Sequence, residues 1–224
     1  MPLDGLVRCE GRQHRRNPGG CDLWEDQPLL RVMYAVSAST GDPRYAKACD
    51  AYIAAFLERS RKDNGLLAWG SHIFYDAYTD RPGGDQDGKG PHEILVLQAE
   101  WERLWHVNPT GVRAAIEGIW EWHVVDKESG LHNRHDDKAP GCDFAISGAS
   151  FVHAFAFLYS KTQDPKYLSW AKTVAGRHWH TRNPTTNLAP DAPSTGDRYD
   201  ATHCFTTLPG PARRGAAAGL RIDR

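Results

Sequence analysis

No run of apolar residues in this 224-residue sequence approaches the length of about 20 that a membrane-spanning helix needs. The opening residues, MPLDGLVRCEGRQHRRNPGG, lack the apolar centre of an export signal. As written, the chain is expected to be soluble and unexported. Those residues read like the interior of a domain, and a start lost upstream would take any export signal with it, which leaves a periplasmic or secreted location open. Charge excess is also absent: 27 Lys and Arg stand against 28 Asp and Glu, for a formal net charge of −1. That balance removes any general pull toward nucleic acid or an anionic membrane surface, and neither is expected as a partner. The five cysteines, Cys9, Cys21, Cys49, Cys142 and Cys204, are odd in number and form no CxxC pair. Neither a disulfide framework nor a cysteine zinc site is therefore indicated, and free thiols are expected. His92-Glu93 does not continue into HExxH, and Asp85-Gln86-Asp87-Gly88 fails the spacing of a calcium loop. His132 with His135, and His178 with His180, could bind zinc, but neither pair has an assignable third ligand. No cofactor is assigned, leaving room only for a structural or accessory divalent cation.

What the sequence does contain is helical punctuation. Leu29, Val32, Met33 and Val36 fall at i, i+3, i+4 and i+7, which suits a helix packed on one face. Tyr45, Cys49, Tyr52, Ile53 and Phe56 form the stripe of the next. Ile94, Leu97, Trp101, Leu104 and Trp105 form a third, and Val112, Ile116, Ile119, Trp120 and His123 a fourth. Gly148–Tyr159 is apolar nearly all round, as expected of a helix buried on several sides. Tyr167, Ala171, Val174 and His178 complete a sixth helix ending near His180. Between members of each pair stands an Asx-Pro step: Asp42-Pro43, Asn108-Pro109 and Asp164-Pro165. The Asx side chain can accept from free amides of the first turn, and proline at the first helical position lacks an amide that would be unpaired anyway.

The chain thus repeats one unit of helix, short turn, helix and long loop, with the prolines 66 and then 56 residues apart. Antiparallel succession sends every Asx-Pro turn to one end and every long loop to the other. Trp69, His72, Asp76, His92, Glu93, His132, Asn133, Arg134, His135, Asp143, Arg182, Asp191, Arg198, Asp200 and His203 are therefore expected to share a face, as residues of a loop-borne site do. The first loop, Gly65–Glu93, is read as a long functional loop without regular structure. The helical domain is placed at 1–209, with 210–224 as a disordered or non-native tail.

Two copies carry further letters, Gly41-Asp42-Pro43-Arg44-Tyr45 with Asn64-Gly65-Leu66, and Gln163-Asp164-Pro165-Lys166-Tyr167 with Asn187-Leu188-Ala189-Pro190-Asp191. From Asp22 to Leu208 this pattern resembles the (α/α) toroid enzymes of carbohydrate metabolism, the six-hairpin glycosidase group and its lyase and epimerase relatives. The resemblance implies an all-α fold and a sugar-binding cleft across the loop end. A closed toroid of six hairpins has about twice the repeats present, so an incomplete toroid is expected, either a fragment or one whose open edges a second copy covers.

Toroid lyases as a group use Asn, His, Tyr and Arg, and the abundance of His and Arg on the loop face points to a negatively charged partner, an acidic polysaccharide or oligosaccharide, and so toward a lyase. For β-elimination a side chain neutralises the uronate carboxylate, a base removes the C5 proton and an acid protonates the leaving oxygen. Asn133 and Arg134 are assigned to the carboxylate, His72 or His135 to proton abstraction and Tyr75 to the leaving group. Trp69, His92, His132, Asp143, Arg182, Arg198, Asp200 and His203 are the expected substrate contacts. Trp69, Trp105, Trp120, Trp122, Trp179, Tyr75 and Tyr78 are candidate stacking platforms, with packing the commoner fate of any one tryptophan. The alternative is a hydrolase of the same fold, using two carboxylates about 5 to 9 Å apart, drawn from Asp76, Glu93, Asp143 and Asp200. An epimerase and a non-catalytic sugar- or protein-binding repeat also stand open. Against these readings, Asp76 could be a local cap, Glu93 a first-turn helix acid, HNRHDD (132–137) a solvated turn, and His123 and His178 satisfied core residues.

Overall fold

In the computed structural model, the described residues are 20–21, 23–60, 73–76, 78–84, 100–133, 143–190 and 192–194. Their scaffold is helical, as the periodicity predicts. Helices α1 (Leu23–Thr40) and α2 (Pro43–Arg59) form the first hairpin, α3 (Trp101–Val107) and α4 (Pro109–Gly118) the second, α5 (Ala145–Thr162) and α6 (Pro165–His180) the third. Each short turn is closed by the expected cap: Asp42 accepts from the Arg44 amide at 3.0 Å, Asn108 from Gly111 at 2.8 Å and Asp164 from Lys166 at 3.0 Å.

One core runs through the three hairpins, built from Ile53, Leu57, Val112, Ile116, Phe151, Phe155, Leu158 and Tyr167. The stripes of α2, α4 and α6 face it as the spacing predicts, except Tyr45, which is 40% exposed, and α5 buries Phe151, Ala154, Phe155 and Leu158 with Val152, Phe157 and Tyr159 packed partly against the core. The stripe of α1 faces it only through Met33. Leu29 and Val32 are 60% and 59% exposed, and the helix turns Gln27, Leu30 and the partly buried Tyr34 inward beside Met33. Polar ties set that rotation: Tyr34 donates to Asp50 at 2.6 Å, Gln27 accepts from the Glu100 amide at 3.0 Å and Arg103 lies over the Tyr34 ring. Cys49 is a buried free thiol.

The first long connection also departs from expectation. Where an irregular loop is read from the glycine-rich sequence, strands β2 (Ile73–Asp76) and β3 (Arg81–Gly84) form an antiparallel hairpin, and β1 (Gly20–Cys21) pairs with β2. Asp80 at its turn has φ +55°, a conformation Asp tolerates better than most residues, and its carboxylate meets Arg59 at 2.6 Å. Arg59 is the last residue of α2, so this pair fastens the hairpin to the end of the array away from the Asx-Pro turns.

Candidate functional site

The described part of the site is built where α4 ends. Ile119–His123 continues the helix as a π-helical turn, a wider winding common at functional positions. The Lys127 ammonium caps it, donating to the Val124 carbonyl at 2.9 Å and to the Trp120 carbonyl. Asp126 then folds the chain back, accepting from the Glu128 amide at 2.9 Å and the Ser129 hydroxyl at 2.7 Å. Gly130 completes the reversal with φ +72°, and a Cβ there would lie 2.5 Å from the Thr173 carbonyl oxygen of α6. Only glycine lets the second loop pass that close.

The returning segment pairs with the π turn. Val124 and His132 form an antiparallel bridge, and the Asn133 amide donates to the His123 carbonyl at 2.8 Å. His123 Nδ1 sits 2.9 Å from the Asn133 carbonyl, which places its proton on that nitrogen, and this expected core histidine is one. Asn133 is only 2% exposed, so a substrate reaches it only past its neighbours. Arg134 and His135 follow it directly and lie outside the described residues, as do Trp69, His72, His92, Glu93, Arg198, Asp200 and His203. Tyr75 and Asp76 stand on β2, opposite Pro82 and Arg81 of β3.

His132 is fully buried, against its expected place as a substrate contact. Its Nδ1 lies 3.1 Å from the Gly130 carbonyl and its Nε2 3.4 Å from that of Phe144, while the ring meets Phe151 edge-on. Two carbonyls would favour the imidazolium, but burial outweighs them and lowers its pKa. Its ring centre is 5.1 Å from that of His178 on α6. His178 is on a core stripe as read from sequence, but it is not satisfied. Neither ring nitrogen has a hydrogen-bond partner among the described residues, and burial, reinforced by His132, brings its pKa to about 3.

Asp143 corrects a second assignment. Read as a substrate contact or hydrolytic carboxylate, it is 0% exposed and already engaged. One oxygen accepts from Arg177 Nε at 2.9 Å and Nη2 at 2.8 Å, and the other from the Ser194 amide at 3.0 Å and the Ser194 hydroxyl. A carboxylate surrounded by four donors is a strut: it ties the foot of the second loop to α6 and to the third loop. Arg177 and Ser194 were not singled out from sequence. The basic last turn of α6, Gly176-Arg177-His178, was a signal for the first, and nothing marked the second.

Of the candidate platforms, Trp105 packs edge-on against Phe157, Trp120 stacks on Trp170 at 4.7 Å, and Trp122 packs on the core. Trp179 and Tyr78 are exposed, at 45% and 81%. Arg182 stands over the Trp179 ring. The second loop, the C-terminal ends of α4 and α6, the N-terminal end of α5 and the start of the third loop thus meet at one end of the array. What they form here is a buried polar floor, neutral at its histidines and closed at its carboxylate. Among the described residues no group of three His, Cys, Asp or Glu is placed to hold a metal ion.

The model of the family described as periplasmic pectate lyase matches residues 21–143, more than half of the sequence. The chain belongs to that family. The match runs from β1 to Asp143 and so takes in the first two hairpins and the candidate residues of the first two loops. A pectate disaccharide-lyase of Dickeya dadantii (strain 3937) is 28% identical over 191 residues, an alignment covering 72% of this chain and 35% of that protein. This family member therefore spans about a third of the length of the curated relative it matches.

Proposed function

We propose that this chain carries substrate-handling machinery of a lyase that cleaves an acidic, uronate-containing polysaccharide by β-elimination. The observation that carries the proposal is the family match across 21–143, which covers the residues read as catalytic: His72, Tyr75, Asp76, Glu93, Asn133, Arg134 and His135. Pectate is the first substrate to try, since the relative is named for it.

In the proposed reaction Arg134, set beside the buried Asn133, neutralises the C6 carboxylate of the sugar and makes its C5 proton acidic. His72 or His135 takes that proton. The electron pair forms the C4=C5 double bond as the C4–O bond breaks, and Tyr75 protonates the departing oxygen. The buried floor of His132, His178, Asp143 and Arg177 supports the reading by holding the second loop in place as far as Asn133. The toroid architecture and a periplasmic site of action belong to the same proposal; the family's description supports the latter, and no described helix is long and apolar enough to cross a membrane.

The test is to incubate the chain with polygalacturonate and other uronate polymers, following ultraviolet absorbance alongside reducing ends. Parallel growth of both is expected. Reducing ends without absorbance would mean hydrolysis, and binding without either would mean a non-catalytic repeat.

A further inference from the structure

Beyond His180 the chain makes a short, well-bonded turn. The Asn183 side chain accepts from the amides of Thr185 and Thr186 at 2.9 Å each, the Asn183 amide donates to the Leu188 carbonyl at 2.9 Å, and the Asn187 amide to the Asn183 carbonyl at 2.8 Å. Both flanks are held by one group, because Arg177 before it and Ser194 after it bind the same buried Asp143. The turn is thus an excursion pinned to the floor of the candidate site.

On this turn Arg182 is fixed in three ways. Its guanidinium carbon lies 3.2 Å from the Trp179 ring centre, its Nε donates to the Trp179 carbonyl at 2.8 Å and its Nη1 to the Asn187 side-chain oxygen. Among the described residues no carboxylate pairs with it. A guanidinium has five N–H donors. Two are used in these bonds, and the rest, with the full positive charge, have no described partner. Ordering an arginine fork usually costs side-chain entropy when a ligand binds, and here that cost is already met by the protein. The stack also changes the role of Trp179. The ring face under Arg182 is occupied, so the tryptophan serves as a mount for the cation instead of a bare platform for a sugar ring.

The geometry points to Arg182 on Trp179 as a subsite for the carboxylate of an acidic sugar residue, outside the reacting centre and on the same loop end. Planar, pre-set N–H pairs match a carboxylate and give nothing comparable to its methyl ester. The inference rests on the acidic-polysaccharide reading, and it names the group that would read the substrate's charge there.

Binding of trigalacturonate and of its methyl ester is to be measured by calorimetry on the whole chain, wild type and the variants R182A, R182K and N187A. R182A should weaken trigalacturonate binding at least about tenfold and leave the ester nearly unchanged. R182K should fall between, since an ammonium cannot stack flat and fork, and N187A should weaken binding less than R182A. Equal affinity of wild type and R182A for trigalacturonate, or no binding by wild type, overturns the subsite. Lyase activity bears on a separate question. Absorbance from cleavage with R182A affinity unchanged leaves the reaction standing and removes the subsite; the reverse pattern keeps the subsite and removes the reaction.

Discussion

Gly148 of α5 and His178 of α6 are fitted to one another: a Cβ at position 148 would lie 2.2 Å from His178 Nε2 and 3.1 Å from His132 Cε1. The buried histidine pair therefore exists by leave of a missing side chain. A G148A substitution should drive the His178 ring out of place and destabilise the fold by about 1 to 3 kcal/mol, the usual range for overpacking. Urea unfolding of G148A, H178A and the double variant checks this. If the two losses simply add, the two residues do not compete for one space.

The same pair should make stability fall in acid. His178 is held at about 3 against an ordinary 6.5, by burial first and by His132 next; Asp143 pulls it upward and Arg177 further down. Burial also lowers His132. The unfolded chain takes up protons below about pH 6.5 that the folded chain refuses, so this contribution is intact above that pH and drains away from there down toward pH 3. One such group gives a slope approaching about 1.4 kcal/mol per pH unit. Denaturant unfolding between pH 4 and 8 should show a shallower acid limb for H178F than for wild type, and identical limbs would refute the account.

Asp143 holds three segments through one carboxylate, with Arg177 itself only 16% exposed at the side chain. D143A leaves that guanidinium buried without its counter-charge and should cost about 3 to 5 kcal/mol. S194A removes a single hydroxyl donor and should cost about 1 kcal/mol. Thermal or urea unfolding ranks the two. Equal losses would mean that the ion pair is not what fastens the loops.

At the opposite end of the array, N108A removes the bond to the Gly111 amide and should cost about 1 kcal/mol. D42A and D164A should act in the same direction. Because these caps sit at the short turns, away from the loops, binding of oligouronates should stay as in wild type while thermal stability drops. A loss of binding that outruns the loss of stability would contradict the separation of the two ends.

The hairpins were legible because they rest on local chemistry. Asp42-Pro43, Asn108-Pro109 and Asp164-Pro165 fix a cap and a first-turn φ within four residues, and the stripes of α2, α4 and α6 need only a 3.6-residue period. The α1 stripe misled because Leu29 and Val32 satisfy the same period. Which face turns inward was decided by distant partners, Asp50, Glu100 and Arg103, that periodicity does not contain. The β2–β3 hairpin was hidden by its glycines, which read as loop until Arg59 and the pairing with β1 are in view.

The candidate site divides along the same line. Sequence alone determined that polar, ionisable residues collect in the long connections and that those connections leave from one end of the helices, since chain direction and turn length suffice for that. Only the tertiary structure decided which of them are foundation. Asp143 and His132 carry the same functional groups as surface ligands would, but burial, the donors of Arg177 and Ser194 around the first and the Gly130 and Phe144 carbonyls around the second turn them into supports. Burial is a property of everything packed around a residue, and no local stretch of sequence encodes it.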